Sequence, residues 1–203
     1  MIKAVIFDYG GVVKKSHILT GDLAKIFNIS EEEVKKVYEK LSEARAQAGK
    51  GLITDDQLFQ KFSKILGKPA PKGCVDMAKK FYLDTFVFIP EIIDLINEVR
   101  ARGIKTAVLS NISVFETEAI DEKNGYDMFD DLFLSCREGL YKPDLAFYSL
   151  AIKRLGVNPE ECIFIDDKEK NLPPAQSIGM KTVLFNNPTQ AVKEIFDIIN
   201  SEK

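Results

Sequence analysis

Polar residues stand where apolar runs end. Asp8 follows the run at residues 2–7, broken only by Lys3. Ser110 and Asn111 follow residues 105–109, and Asp166 and Asp167 follow residues 162–165. Carboxylates are oxygen ligands suited to a hard divalent cation. An aspartate can also act as a nucleophile and carry a phosphoryl group as an aspartyl-phosphate. A serine hydroxyl and backbone amides at Ser110-Asn111 can donate to phosphate oxygens, and the Lys142 ammonium, at the start of a helical stretch in Lys142-Pro143-Asp144, can meet their charge. These are the parts of metal-assisted phosphoryl transfer. Each has a plainer role when taken singly. Asp8 can be a turn former before Gly10-Gly11, Ser110 and Asn111 can cap the following helix, Asp166 and Asp167 can be acids favoured near a helix N-terminus, and Lys142 can be a solvated charge. Their shared placement at element ends favours the joint chemistry.

Positions roughly 100 and 160 residues apart can meet only if the strands they follow lie side by side. The pattern predicts this. After Pro90, helical stretches at 90–102, 144–155, 172–178 and 188–200 alternate with short strands at 105–109, 132–134, 162–165 and 181–185. Such alternation implies parallel strands joined by right-handed crossovers, an α/β Rossmann-like, doubly wound sheet. In an open parallel sheet the strand C-termini share one edge, and ligands bind there. Residues 15–87 show no convincing strand. Ser30 with Glu33 and Thr54 with Gln57 form capping boxes ahead of apolar helical faces, and Gly67 is a helix stop. This stretch is expected to be a small helical cap inserted after the first strand, over a core made of residues 1–14 and 88–203. Phe59, Phe62, Phe81 and Phe86 read as the core of that insertion. His17, the only histidine, reads as a packing or surface residue near the entry to the cap.

Bulk properties narrow the field. The chain has 203 residues, 45% hydrophobic and 29% charged, which suits an ordinary globular protein. A net charge of −3 argues against a broad nucleic-acid footprint. No apolar run approaches the roughly 18 to 20 residues that span a bilayer, so no membrane partner is expected. The N-terminus does not read as a signal peptide. Cys74, Cys136 and Cys162 are odd in number and widely spaced, which fits reduced thiols of a cytoplasmic protein.

These residues resemble the haloacid dehalogenase (HAD)-like hydrolase superfamily over nearly the whole chain. Phe7-Asp8-Tyr9-Gly10-Gly11-Val12 is similar to its first motif, Leu109-Ser110-Asn111 to its second, Tyr141-Lys142-Pro143-Asp144 to its third, and Ile165-Asp166-Asp167 with Asn171 to its fourth. Residues 135–185 resemble the phosphatase domain of soluble epoxide hydrolases, and also bacterial α-glucose-1-phosphate phosphatases. The resemblance implies a Mg²⁺-dependent phosphatase acting on a small phosphorylated metabolite, such as a sugar phosphate, as a monomer or homodimer. It makes Asp8 the nucleophile, with Lys142 as its catalytic partner. Asp8, the Gly10 carbonyl and Asp167 would be Mg²⁺ ligands, with Asp166 and Asn171 in support. Ser110, Asn111 and Lys142 would hold the phosphoryl group.

One departure bears on mechanism. Most phosphatases of the superfamily carry a second aspartate two residues after the nucleophile, as general acid and base; here that residue is Gly10. The departure leaves open a leaving group that needs little protonation, a proton from the cap or from water, or slow turnover. It also leaves open a phosphate-ligand binding or regulatory module, or a 2-haloacid dehalogenase. The paired acids Asp166-Asp167 with Asn171 argue against the dehalogenase.

Overall fold

The computed structural model describes residues 1–17 and 19–201. Ile18 and residues 202–203, which fall within the expected cap and core ranges, lie outside the described residues. Strand β1 (Ala4–Phe7) is followed by helices α1 (Leu19–Phe27), α2 (Glu31–Lys40), α3 (Ser42–Gly49), α4 (Asp55–Leu66) and α5 (Cys74–Asp84). The core resumes with α6 (Pro90–Ala101), β2 (Lys105–Ser110), α7 (Val114–Asp121), β3 (Asp131–Leu134) and α8 (Ser135–Glu138). It ends with α9 (Leu145–Leu155), β4 (Cys162–Asp166), α10 (Leu172–Ser177), β5 (Lys181–Leu184) and α11 (Pro188–Ser201).

The five strands form one parallel sheet in the order β3-β2-β1-β4-β5. The chain builds outward through β2 and β3, then crosses back over β1 to add β4 and β5. The switch in direction lies between β1 and β4, the place where an open α/β sheet leaves a crevice. Strand side chains alternate between faces. Val5, Phe7, Ile163 and Ile165 pack on the side of α6, α11 and the cap helices. Ala4, Ile6, Phe133 and Phe164 pack against α9 and α10 on the other side. Covering both faces explains why these strands read as continuous apolar runs.

The cap helices begin as their caps dictate. Ser30 and Thr54 form reciprocal capping boxes with Glu33 and Gln57, and α4 stops at Gly67 in the left-handed conformation. Phe59 and Phe62 are buried among these helices, Phe59 stacked on Phe27 and Phe62 tilted against it, while Phe81 and Phe86 are partly buried against the same core. The sequence pattern does not mark α3. Its residues, Ser-Glu-Ala-Arg-Ala-Gln-Ala-Gly, carry no apolar stripe, because small residues let this helix pack closely without one.

Asp55 ties α4 to α7. Its Oδ2 accepts from the Phe115 amide (2.9 Å) at the start of α7. Burial pushes its carboxyl from 3.8 up to about 6, against the pull of the Phe115 amide and with Glu116, Glu118 and Asp56 adding repulsion. A folded pKa above the unfolded one means that the folded state holds the proton more tightly. This contribution to stability is full below about pH 4 and is lost as pH rises through about 6. Asp55→Asn keeps an acceptor for the Phe115 amide without the charge. Its stability advantage over wild type is expected to grow from pH 4 to pH 8, by up to about 3 kcal/mol. Denaturant titrations across that range test this, and a difference that stays flat with pH would refute it.

Candidate active site

The register of the sheet brings the motif residues together. Phe7 pairs with Val108 on one side and Ile165 on the other, so the next residues, Asp8 and Asp166, emerge side by side at the C-terminal edge. The Asp8 amide donates to the Ile165 carbonyl (2.8 Å), which holds Asp8 to β4. Residues 8–14 then turn tightly. The Tyr9 carbonyl accepts from the amides of Val13 and Lys14, and the Tyr9 hydroxyl donates to the Gly125 carbonyl (3.1 Å). Gly11 occupies the left-handed region (φ 93°), and a Cβ there would lie 2.7 Å from Asp167 Oδ2. Gly11→Ala is therefore expected to lower unfolding free energy by about 1–3 kcal/mol. An unchanged denaturation midpoint would show that the loop relaxes at no cost.

Lys142 is almost fully buried, not a solvated charge. Its ammonium bridges Asp166 Oδ2 (2.6 Å) and Asp8 Oδ1 (2.9 Å). The loop that delivers it is clamped by Asn111, whose Nδ2 donates to the Lys142 carbonyl (2.8 Å) while its Oδ1 accepts from the Lys142 amide (2.7 Å). The side chain of Asn111 is thus occupied in positioning Lys142. Nor do Ser110 and Asn111 cap the next helix: Ser113 does, in a capping box with Glu116. The Ser110 side chain is buried at the end of β2, and among the described residues no hydrogen bond engages its hydroxyl. Ser135, bonded to both backbone groups of Ile112, braces this loop.

Asp166 is fully surrounded. Besides Lys142 it accepts from Asn171 Nδ2 (2.9 and 3.0 Å) and from the Lys168 amide (2.8 Å), and Tyr148 holds the Asn171 carbonyl. Asp167 differs. Its Oδ1 is buried without a hydrogen-bond partner, and the nearest ammonium, that of Lys168, stands 3.8 Å away. Burial raises the pKa of both acids, and the Asp8 charge adds to it. Burial also pulls Lys168 down, but Asp8, Asp167 and Asp166 outweigh that and hold its pKa above the ordinary value. Carboxylate oxygens of Asp8, Asp166 and Asp167 lie within 4.8 Å of one another. Three clustered carboxylates with an orphaned buried oxygen form a donor set that fits a hard divalent cation. All the motif residues predicted from sequence, Asp8, Gly10, Ser110, Asn111, Lys142, Asp166, Asp167 and Asn171, meet at this edge.

Above them lies a cavity of about 570 Å³, walled by this edge and by the helices inserted after β1. The cap and linker supply Lys14, His17, Leu19, Tyr38, Arg45, Gly49, Leu58, Phe59 and Tyr82, none of which the motif pattern marks as a wall residue. His17 packs edge-on against Tyr82 and is buried between Asp22 (Nε2–Oδ2 2.6 Å) and Thr85 (2.9 Å), which joins the two ends of the cap. Burial lowers its pKa against the opposing pull of Asp22. Lys14 is buried against the rings of Tyr82 and Phe86 and donates to the Lys15 carbonyl; burial brings its pKa down to about 8 against the pull of Glu116. The run Ala44-Arg45-Ala46-Gln47-Ala48-Gly49, small residues around one cation, was the available sign of a close-packed wall. Cys74 and Cys162 are buried and Cys136 partly so, and all three are free thiols.

The family model described as haloacid dehalogenase-like hydrolase matches residues 2–179. Acyl-CoA dehydrogenase family member 10 of Mus musculus is 32% identical over 207 residues, covering 95% of this chain and 19% of that protein. The chain therefore spans only a fifth of that relative. Sesquiterpene phosphatase astK of Aspergillus oryzae is 29% identical over 187 residues, covering 88% of this chain and 87% of that protein. Among solved structures, HAD family enzyme bt-2542 from Bacteroides thetaiotaomicron, in complex with magnesium and inorganic phosphate, superposes with a TM-score of 0.73 at 24% identity, over 91% of this chain and 94% of that one. That likeness establishes the fold.

Proposed function

The chain belongs to the haloacid dehalogenase-like hydrolases, and we propose that this phosphatase hydrolyses a small phosphorylated metabolite through an aspartyl-phosphate on Asp8, with Mg²⁺ as cofactor. The relative named as a sesquiterpene phosphatase, matched over most of its length, supports action on phosphate esters. The observation that carries the mechanism is the cluster itself: Asp8 beside Asp167, whose Oδ1 is buried without a partner, with Lys142 bridging Asp8 and Asp166.

Asp8, the Gly10 carbonyl and Asp167 would hold the cation. When bound, Mg²⁺ supplies positive charge that offsets repulsion between the Asp8 carboxylate and the phosphoryl oxygens. The rest falls to the chain. The Asp8 oxygen attacks phosphorus, forming the O–P bond of the aspartyl-phosphate as the bond to the leaving oxygen breaks. Lys142, the Ser110 hydroxyl and the backbone amide at Asn111 stabilise charge on the equatorial oxygens. Asp166 and Asn171 keep Lys142 in place. Water then attacks phosphorus, releasing inorganic phosphate and restoring Asp8. The cap limits bulk water and supplies contacts to the organic part of the substrate.

Gly10 offers no carboxyl to protonate the leaving oxygen. Aryl phosphates and sugar 1-phosphates are therefore expected to turn over faster than alkyl phosphates. The test is phosphate release from a panel of these esters, with Mg²⁺ and with chelator. Release that requires Mg²⁺ and follows leaving-group acidity is the expected result. Equal release with chelator would overturn the metal's role, and indifference to the leaving group would overturn the account of Gly10.

A further inference from the structure

The cavity cations differ in how they are compensated. Lys142 lies between two carboxylates, Lys168 faces Asp167, and Lys14 is enclosed by two aromatic rings and a carbonyl. Lys170 is exposed. Arg45 is the exception. It projects from α3 into the cavity wall, half-buried, with its guanidinium carbon 3.6 Å from the centre of the Tyr38 ring. Among the described residues no carboxylate lies within ion-pairing distance of it. Glu116 is the acid on this side of the cavity, and its Oε2 is engaged by the amide (3.0 Å) and hydroxyl (2.8 Å) of Ser113. An arginine cannot shed its charge, and its planar fork suits carboxylate or phosphate. Stacking on one ring offsets only part of the cost of desolvating it.

Position says which part of the substrate carries the anion. Gly49, one helical turn beyond Arg45, seats α3 on the core. A Cβ at Gly49 would lie 2.5 Å from the Tyr141 ring, so the helix is pressed against the residue preceding Lys142. Lys142 in turn contacts Asp8. Arg45, which lines the same cavity, therefore leaves α3 about 6 Å along the helix axis from the point where that helix meets the residue before Lys142. With Lys142 and Ser110 assigned to the phosphoryl group, Arg45 on the opposite, helical wall is left to the organic part of the ester.

We propose that Arg45 is a specificity-determining residue that binds a second anionic group, a carboxylate or phosphate, on the leaving-group portion of the substrate. This rests on the phosphatase reading above and narrows its substrate class to doubly anionic esters. Two matched pairs test it: 4-carboxyphenyl phosphate against phenyl phosphate, and glucose 1,6-bisphosphate against glucose 1-phosphate. The wild type is expected to favour the doubly anionic member, and Arg45→Gln to reduce that preference roughly 10- to 100-fold, chiefly through KM, as for loss of a charged hydrogen bond. Arg45→Lys should restore part of it. The pair with the larger ratio identifies carboxylate or phosphate. If the wild type shows no preference, or Arg45→Gln leaves the preference intact, the proposal fails while the phosphatase reading stands. If no ester is hydrolysed, the phosphatase reading fails instead, and calorimetry of the same four compounds decides for Arg45. Tighter binding of the doubly anionic members that Arg45→Gln abolishes supports the subsite, and its absence overturns it.

Discussion

Asp8→Asn is expected to abolish phosphate release, lowering kcat/KM by on the order of 10⁴-fold or more, the scale seen when a covalent nucleophile is removed. The amide matches the carboxylate in shape but cannot attack phosphorus. Folding should survive. Lys142 keeps its 2.6 Å contact to Asp166, and one of three crowded negative charges is removed. Thermal denaturation of Asp8→Asn should therefore match or exceed wild type, separating lost chemistry from lost structure. Activity within about tenfold of wild type, in a folded protein, would exclude Asp8 as the nucleophile.

The second large effect runs in the opposite direction. Gly10→Asp should raise turnover of alkyl phosphates by about 10²- to 10⁴-fold, the usual worth of general acid–base catalysis. The backbone permits the change. Gly10 is not in the left-handed region, and a Cβ there meets nothing within 4 Å. The new carboxyl would stand near Asp8 and Asp167, and like charges favour its protonated form. It could then donate to a poor leaving oxygen and later accept a proton from the attacking water. Aryl phosphates, which leave without help, should gain little in kcat/KM, which reports formation of the aspartyl-phosphate, and should gain instead in kcat, which reports its breakdown. A folded Gly10→Asp variant with no gain on alkyl esters would show that proton transfer does not limit this enzyme.

The placement of the site was legible because a parallel sheet buried on both faces writes its strands as apolar runs, and the first polar residue after each run marks the working edge. Asp8, Ser110 and Asp166 are found by that rule alone. The capping boxes at Ser30 and Thr54 were legible because their partners sit three residues away. What escaped depends on partners distant in sequence. Lys142 has the composition of a surface lysine, and its burial follows from Asp166, 24 positions on, and from Asn111, 31 positions back. The clamp by Asn111, the interruption of the cap by α3 and the exposure of Arg45 to the cavity leave no periodic trace. Ser113, three residues past Ser110, took the helix cap and left Ser110 at the edge of the sheet.

The central step is the passage of a phosphoryl group through Asp8. Without a carboxyl at Gly10, breakdown of the intermediate lacks the general base of that position and should be slow enough for it to accumulate. Wild-type protein mixed with an aryl phosphate and Mg²⁺, quenched in acid within the first turnovers and digested for mass spectrometry, tests this directly. The expected result is one phosphoryl group on Asp8 in the peptide at residues 4–14, absent with chelator and labile to hydroxylamine as an acyl phosphate is. Steady phosphate release with no modified Asp8 at any quench time would contradict the account and assign the attack on phosphorus to water.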